Sequence, residues 1–180
     1  MIHPSCLPDE QLLKDCKIRS LRRSGPGGQH RNKVETAIVI EHLPSGMKAE
    51  ANERRCQKEN RAAALFRLRL ALAVNFRSQW AAEPETEGEQ PESAAGTEIS
   101  SLWRTRIQKG RISVASSHWD FPALLAEAMD HLCVQQWKVT AAAQRLEVSP
   151  SQLVKLLRMH PPSLIQVNRY RQENGLMPLR

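Results

Sequence analysis

Gly27-Gly28-Gln29 carries the strongest chemical implication in the chain. A glycine pair lets the backbone approach a bound group with no Cβ in the way. Gln29 adds a main-chain N–H and an amide side chain without a titratable proton. It can therefore donate, accept and orient, but it is not a conventional general base. The surrounding run, Ser24 to His30, holds three glycines and a proline, and Arg22, Arg23, Arg31 and Lys33 flank it. This combination predicts a loop that presents its backbone to a polyanion. On local chemistry alone the same run also reads as a hairpin turn, since Gly-Pro and Gly-Gly both mark turns.

The neighbouring residues weigh against a bare turn. From Ile18 to Leu72 the chain resembles the catalytic domain of class I peptide-chain release factors, and their short relatives, the codon-independent ribosome-rescue peptidyl-tRNA hydrolases. The resemblance rests on Arg19-Ser20, Ser24-Gly-Pro-Gly-Gly-Gln29, Asn32-Lys33, Thr36-Ala37, His42-Leu-Pro-Ser-Gly46, Arg54-Arg55-Cys56-Gln57 and Asn60-Arg61, in that order and spacing.

The resemblance implies a substrate, the ester joining a nascent peptide to the terminal ribose of a P-site tRNA, and a partner, the ribosome and its rRNA. Hydrolysis passes through a tetrahedral oxyanion. The protein's contribution would be donors and shape in a water-poor site rather than a strong base. Gly27, Gly28 and Gln29 are the implied catalytic residues, with the Gln29 N–H donating to the oxyanion or the leaving oxygen. Arg22, Arg23, Arg31, Lys33, Arg54 and Arg55 are the expected RNA contacts, each also readable as a solvated surface charge. Asn32 and Thr36 are expected to brace the loop base through side-chain hydrogen bonds. His30 reads as a turn residue facing solvent or as a proton shuttle. Arg31 and Cys56 depart from the family pattern, which has a small apolar residue and a serine there. Cys56 is expected to be buried and structural.

Composition narrows the setting. The chain has 180 residues, with 26 Lys plus Arg against 19 Asp plus Glu, a formal charge of +7. That balance favours a polyanionic partner. Aromatic residues make up 4% of the chain, so an aromatic base-stacking platform is not expected. Cys6, Cys16, Cys56 and Cys133 form no Cys-x-x-Cys pair and predict reduced thiols with no metal site. No cofactor is implied. No apolar run reaches membrane-spanning length, and Asp9, Glu10 and Asp15 argue against a transit peptide. A cytoplasmic monomer is the expectation.

The loop must be held by the elements around it. Charge divides the chain into residues 1–80 (15 basic, 8 acidic), 81–98 (six acidic, none basic) and 99–180 (11 basic, 5 acidic). These predict a hydrolase domain, a flexible acidic linker and a helical module. In the first, strands are predicted at Asp15–Leu21, Thr36–Leu43 and Met47–Asn52, with Ile38, Ile40 and His42 on one face and a turn at Pro44-Ser45-Gly46. A helix from about Arg55 to about Trp80 follows, its inward stripe including Ala62, Leu65, Leu68 and Leu72. The fold class is α+β: a small antiparallel sheet covered on one face by a long helix.

The last segment reads as all helix. Phe121–Gln136 is amphipathic. Thr140 can cap a helix over Ala141–Leu146, and Ser149-Pro150-Ser151-Gln152 has the form of a capping box before Leu153, Leu156 and Leu157. This order is similar to a helix-turn-helix, except that Glu147 stands where a glycine is usual. Three functions stay open: a codon-independent peptidyl-tRNA hydrolase on stalled ribosomes, a non-catalytic ribosome- or RNA-binding factor, and a DNA-binding regulator acting through the C-terminal helices. Nothing resembles the codon-reading domains of full-length release factors, and the final residues are less basic than the tail of the short rescue hydrolases.

Overall fold

A computed structural model describes residues 2–22, 35–78 and 98–180. The chain divides into two compact units, one formed by Pro4–Phe76 and the other by Met1–His3 together with Arg77–Arg180. Gly27, Gly28, Gln29, His30, Asn32, Arg23, Arg31, Lys33 and most of the acidic stretch lie outside the described residues.

The first unit opens with a 3₁₀ turn, Pro4–Cys6, and a short helix α1, Asp9–Lys14. Three strands follow, β1 (Cys16–Leu21), β2 (Ala37–His42) and β3 (Lys48–Ala51), paired antiparallel in the order β1-β2-β3. The alternation in β2 settles its facing. Ile38, Ile40 and His42 are buried, and Glu41 lies on the opposite face against Arg19 and Lys48. Between β2 and β3 the chain reverses at Leu43–Ser45. Gly46 takes φ +68° and its N–H returns to the His42 carbonyl at 2.8 Å, a conformation that favours glycine.

Helix α2, Gln57–Asn75, covers the buried face. Ala64, Leu65, Leu68 and Leu72 meet Ile38, Ile40, Ala51 and Leu12 in one cluster. At about 1.5–3 kcal/mol per fully buried large apolar side chain, this stripe is what holds the helix to the sheet. Leu65, Leu68 and Leu72 face inward as predicted, while Ala62 is exposed and Ala64 takes its place on the stripe. The helix also ends earlier, at Asn75. Phe76 turns extended (φ −100°, ψ 143°) and packs against the same core. Arg69 is buried in mid-helix, where its guanidinium donates to the Ser5 carbonyl at 2.7 Å and to Asp9 Oδ1 at 2.7 Å, while Ser5 Oγ donates to the Arg69 carbonyl at 2.8 Å. A buried charge persists only when paired and hydrogen-bonded. Here the pairing ties the N-terminal turn to the helix.

The second unit is mostly helical, with α3 (Ser101–Arg106), α4 (Phe121–Val134), α5 (Val139–Arg145), α6 (Pro150–Arg158) and α7 (Pro161–Glu173). Its core is Trp103, Phe121, Leu124, Leu125, Met129, Leu132, Leu146 and Leu153, and Trp103 Nε1 donates to the Leu146 carbonyl at 3.0 Å. The all-helical expectation is corrected by a small ribbon, β4 (Ile107–Gln108) and β5 (Arg111–Ile112). Lys109 (φ 50°) and Gly110 (φ 71°) turn it, and positive φ at both central residues matches the twist of a two-residue hairpin.

Thr140 does not cap α5. The helix begins at Val139, after Lys138 in extended conformation. Only half of the capping box at α6 forms. Ser149 Oγ accepts from the Gln152 N–H at 3.3 Å, but Gln152 Oε1 accepts instead from the Ile112 N–H of the ribbon at 3.4 Å. Glu147 adopts φ 55° in the turn between α5 and α6, the left-handed conformation that a glycine adopts freely.

Candidate RNA interface and release site

Residues 22–36 connect β1 to β2, and Leu21↔Ala37 is the last register pair before that connection. Everything the structure shows of the site concerns its foot. Glu35 and Thr36 stand on the returning side. One Glu35 carboxylate oxygen lies 3.5 Å from Arg22 Nε and the other accepts from Ser20 Oγ at 3.2 Å, while the Glu35 carbonyl accepts from Gln57 Nε2 at 3.3 Å. Both members of the Arg22–Glu35 pair are exposed, so the pair contributes little stability. It does hold the two sides of the connection together where they leave the sheet.

Asn60 sits beneath Glu35 and Thr36 and is fully buried. Its Nδ2 donates to the Thr36 carbonyl at 2.7 Å and to the Arg54 carbonyl at 2.8 Å, and its Oδ1 accepts from the Arg54 N–H at 2.9 Å. One side chain thus joins the start of β2, the loop after β3 and the first turn of α2. Thr36 is also buried. Its backbone carbonyl takes part in the fastening by accepting from Asn60 Nδ2.

Arg54 and Arg55 are exposed, as are Arg22, Lys58 and Arg61. The fastening by Asn60 and Glu35 gathers Arg22 and Arg54 at one end of the sheet. Lys58 and Arg61 occupy the first turns of the 19-residue helix α2, whose N-terminal end favours anions. Cys56 is exposed, not buried. It precedes the helix in extended conformation, makes no side-chain capping bond, and takes no part in the core.

The sequence reading missed Glu35 and gave Gln57 and Asn60 no role. Spacing offers no sign that an asparagine three residues into a helix faces inward to three main-chain groups. Among the described residues no three His, Cys, Asp or Glu side chains come together to hold a metal ion, and no helix is long and apolar enough to cross a membrane. His42 is a titratable group buried in the sheet. Burial lowers its pKa against the opposing charge of Asp15, and its Nδ1 lies 2.7 Å from Ser45 Oγ. It stabilises the β2–β3 turn, at the opposite end of β2 from Ala37.

These features converge with two comparisons. Residues 11–116 match the RF-1 domain family. Over 67 residues the chain is 49% identical to the protein named peptide chain release factor 1 of Xylella fastidiosa (strain 9a5c), a stretch covering 37% of this chain and 19% of that relative. With more than half of its length matched, the chain belongs to the RF-1 domain family. It spans about a fifth of the release factor it resembles.

Proposed function

We propose that this protein hydrolyses the ester of peptidyl-tRNA on the ribosome without reading a codon, and so releases peptides from stalled complexes. The observation that carries the reading is the RF-1 domain match over a stretch containing Gly27-Gly28-Gln29, with the foot of that stretch fastened by Glu35, Gln57 and Asn60. A fastened foot fixes where a catalytic segment leaves the sheet, and positioning is a large part of what such a reaction requires. The Gln29 N–H donates to the oxyanion or the departing ribose oxygen, and Gly27 and Gly28 keep that approach free of Cβ atoms. Arg22, Arg54 and Arg55, with Arg23, Arg31 and Lys33, meet RNA phosphates. Asn32 supports the loop.

The test is single-round peptide release from ribosomes carrying P-site peptidyl-tRNA, with the decoding site empty or holding a codon. Release is expected in both settings. Gly28→Ala, whose Cβ obstructs the approach of the Gln29 N–H, should lower the rate by about 10²–10³-fold, the scale of losing one oxyanion donor. Gln29→Ala keeps the main-chain N–H and should lower the rate through loss of the orienting side-chain amide, with ribosome co-sedimentation retained in both. Release that requires a stop codon would remove the codon-independent reading, and wild-type co-sedimentation without turnover would leave a binding factor.

A further inference from the structure

We infer that the helical unit carries its own docking face for a double-stranded RNA stem, formed by α6, the β4–β5 ribbon and Lys138. The inference rests on the ribosomal reading above for the choice of RNA over DNA; the surface itself is argued from charge and shape.

The charge argument begins with the acids. Residues 99–180 hold five, and four are occupied within the unit. Asp120 accepts from Arg106 Nε at 2.9 Å, Asp130 from Arg77 Nη1 at 3.1 Å, Glu173 from Arg169 Nε at 3.0 Å, and Glu127 from the Ser100 N–H and hydroxyl at 2.7 and 2.6 Å. Among the described residues, Lys109, Arg111, Lys138 and Lys155 meet no carboxylate, and all four are exposed. The folded unit thus engages four of its five acids internally, the fifth, Glu147, being exposed in the turn before α6, and leaves these cations outside.

Shape gathers those cations around one helix. A depression of about 360 Å³ separates α6 from the ribbon and is lined by Gln108, Arg111, Gln152 and Lys155. A second, of about 590 Å³, lies on the other flank of α6, with Lys138 and Arg158 on its walls. The ribbon is held against α6 by the bond from Ile112 to Gln152, and Arg111 and Lys155 line the same depression, with Lys109 exposed in the ribbon's turn. Cations on both flanks of an exposed helix suit the two phosphate strands bordering a groove.

No aromatic side chain lines either depression. Single-strand binders stack bases on aromatic rings, so this face fits a duplex better than a single strand. The neutral lining of the larger depression is mostly apolar, with Val139, Val154, Leu176 and Leu179, while the one beside the ribbon carries the amides and hydroxyl of Gln108, Gln152 and Ser113. Those amides and that hydroxyl suit the phosphates and 2′-hydroxyls through which double-stranded RNA is recognised.

The experiment measures fluorescence anisotropy of a labelled 20-base-pair RNA hairpin with the full chain across a salt series. The Arg111→Glu/Lys155→Glu double variant should weaken binding by at least about tenfold and flatten the salt slope by about two, one for each phosphate no longer neutralised. Arg111→Lys/Lys155→Arg should retain binding. Unchanged affinity in the charge-reversed protein, weakened binding in the conservative pair, or equal or tighter binding of the DNA duplex of the same sequence would each overturn the inference. Gln29→Ala should bind the hairpin as the wild type does. A chain that shows the charge dependence but releases no peptide therefore loses only the hydrolase reading. A chain that releases peptide but binds the hairpin through neither Arg111 nor Lys155 loses only this one.

Discussion

The two units use buried polar groups for different ends. In Pro4–Phe76 the interior polar groups are fasteners between distant pieces of backbone: Asn60 joins Thr36 to Arg54, and Arg69 joins α2 to the N-terminal turn. In the helical unit the core is apolar apart from a few pairs. Those pairs, such as buried Asp130 with Arg77, compensate acids taken out of water. The first arrangement fixes the place from which one segment departs. The second shapes a face and its charge. A small sheet with one covering helix has little apolar area with which to define a chain exit, so it relies on directional bonds. A helical unit with a large core can leave its exterior to charge.

The largest expected effect tests the fasteners. Asn60→Ala leaves the Thr36 carbonyl and both Arg54 main-chain groups without their partner. At about 1–3 kcal/mol for a buried group left unsatisfied, with the Thr36 bond buried and the Arg54 bonds partly so, the loss should be about 3 kcal/mol in denaturant unfolding of the sheet unit. The unfolding transition of the helical unit should not move. A loss below about 1 kcal/mol would mean that water replaces the side chain and that the foot is not held by Asn60.

Acidification should separate the units in the other direction. His131 is buried in α4, and burial, with a smaller contribution from Arg145 and against the charge of Asp130, lowers its pKa from 6.5 to about 4. A folded-state pKa below the unfolded value means that the unfolded chain binds the extra proton first. The contribution is complete above about pH 6.5 and is lost as pH falls toward 4. Glu127, whose pKa burial raises, acts in the opposite sense. Thermal unfolding of the helical unit followed from pH 7 to 4 should therefore show a steeper decline for the wild type than for His131→Gln. Equal slopes would remove His131 from the account. His42 in the sheet unit is lowered in the same direction, so that unit should decline less steeply rather than not at all.

The smallest effect concerns the turn between α5 and α6. Glu147 holds φ 55°, a conformation that costs a residue with a Cβ roughly 1–2 kcal/mol, against which glycine's greater unfolded-state entropy must be set. Glu147→Gly should stabilise the helical unit by about 0.5–1 kcal/mol, read as a rise in its thermal midpoint with the sheet unit unchanged.

Much of the sheet was legible because period-two alternation from Ala37 to His42 has one burial solution, and the Ser45-Gly46 turn has one economical backbone. The inward leucines of α2 and α6 were legible for the same reason. Helix ends were less so. Phe76 and Trp80 are as compatible with helix as Leu72, and what ends α2 is the packing of Phe76 against the core. The β4–β5 ribbon escaped notice because strands of two residues have no periodicity to read. Cys56 looked like a core residue by type, but burial depends on where the backbone faces, and at a helix entry it faces out.

The order of residues by itself determined the family signature around Gly27-Gly28-Gln29, the positive charge, and the apolar stripes that pair sheet with helix, because these are properties of type and spacing. Only the tertiary structure decided that Asn60 and Glu35 fasten the exit of the connection, that Gln152 turns from its own helix cap to the ribbon, and that Asp120 and Asp130 meet Arg106 and Arg77. Each of these joins groups separated by many residues. Hydrogen-bond geometry at 2.7–3.4 Å is a fact of three-dimensional distance that no local pattern encodes.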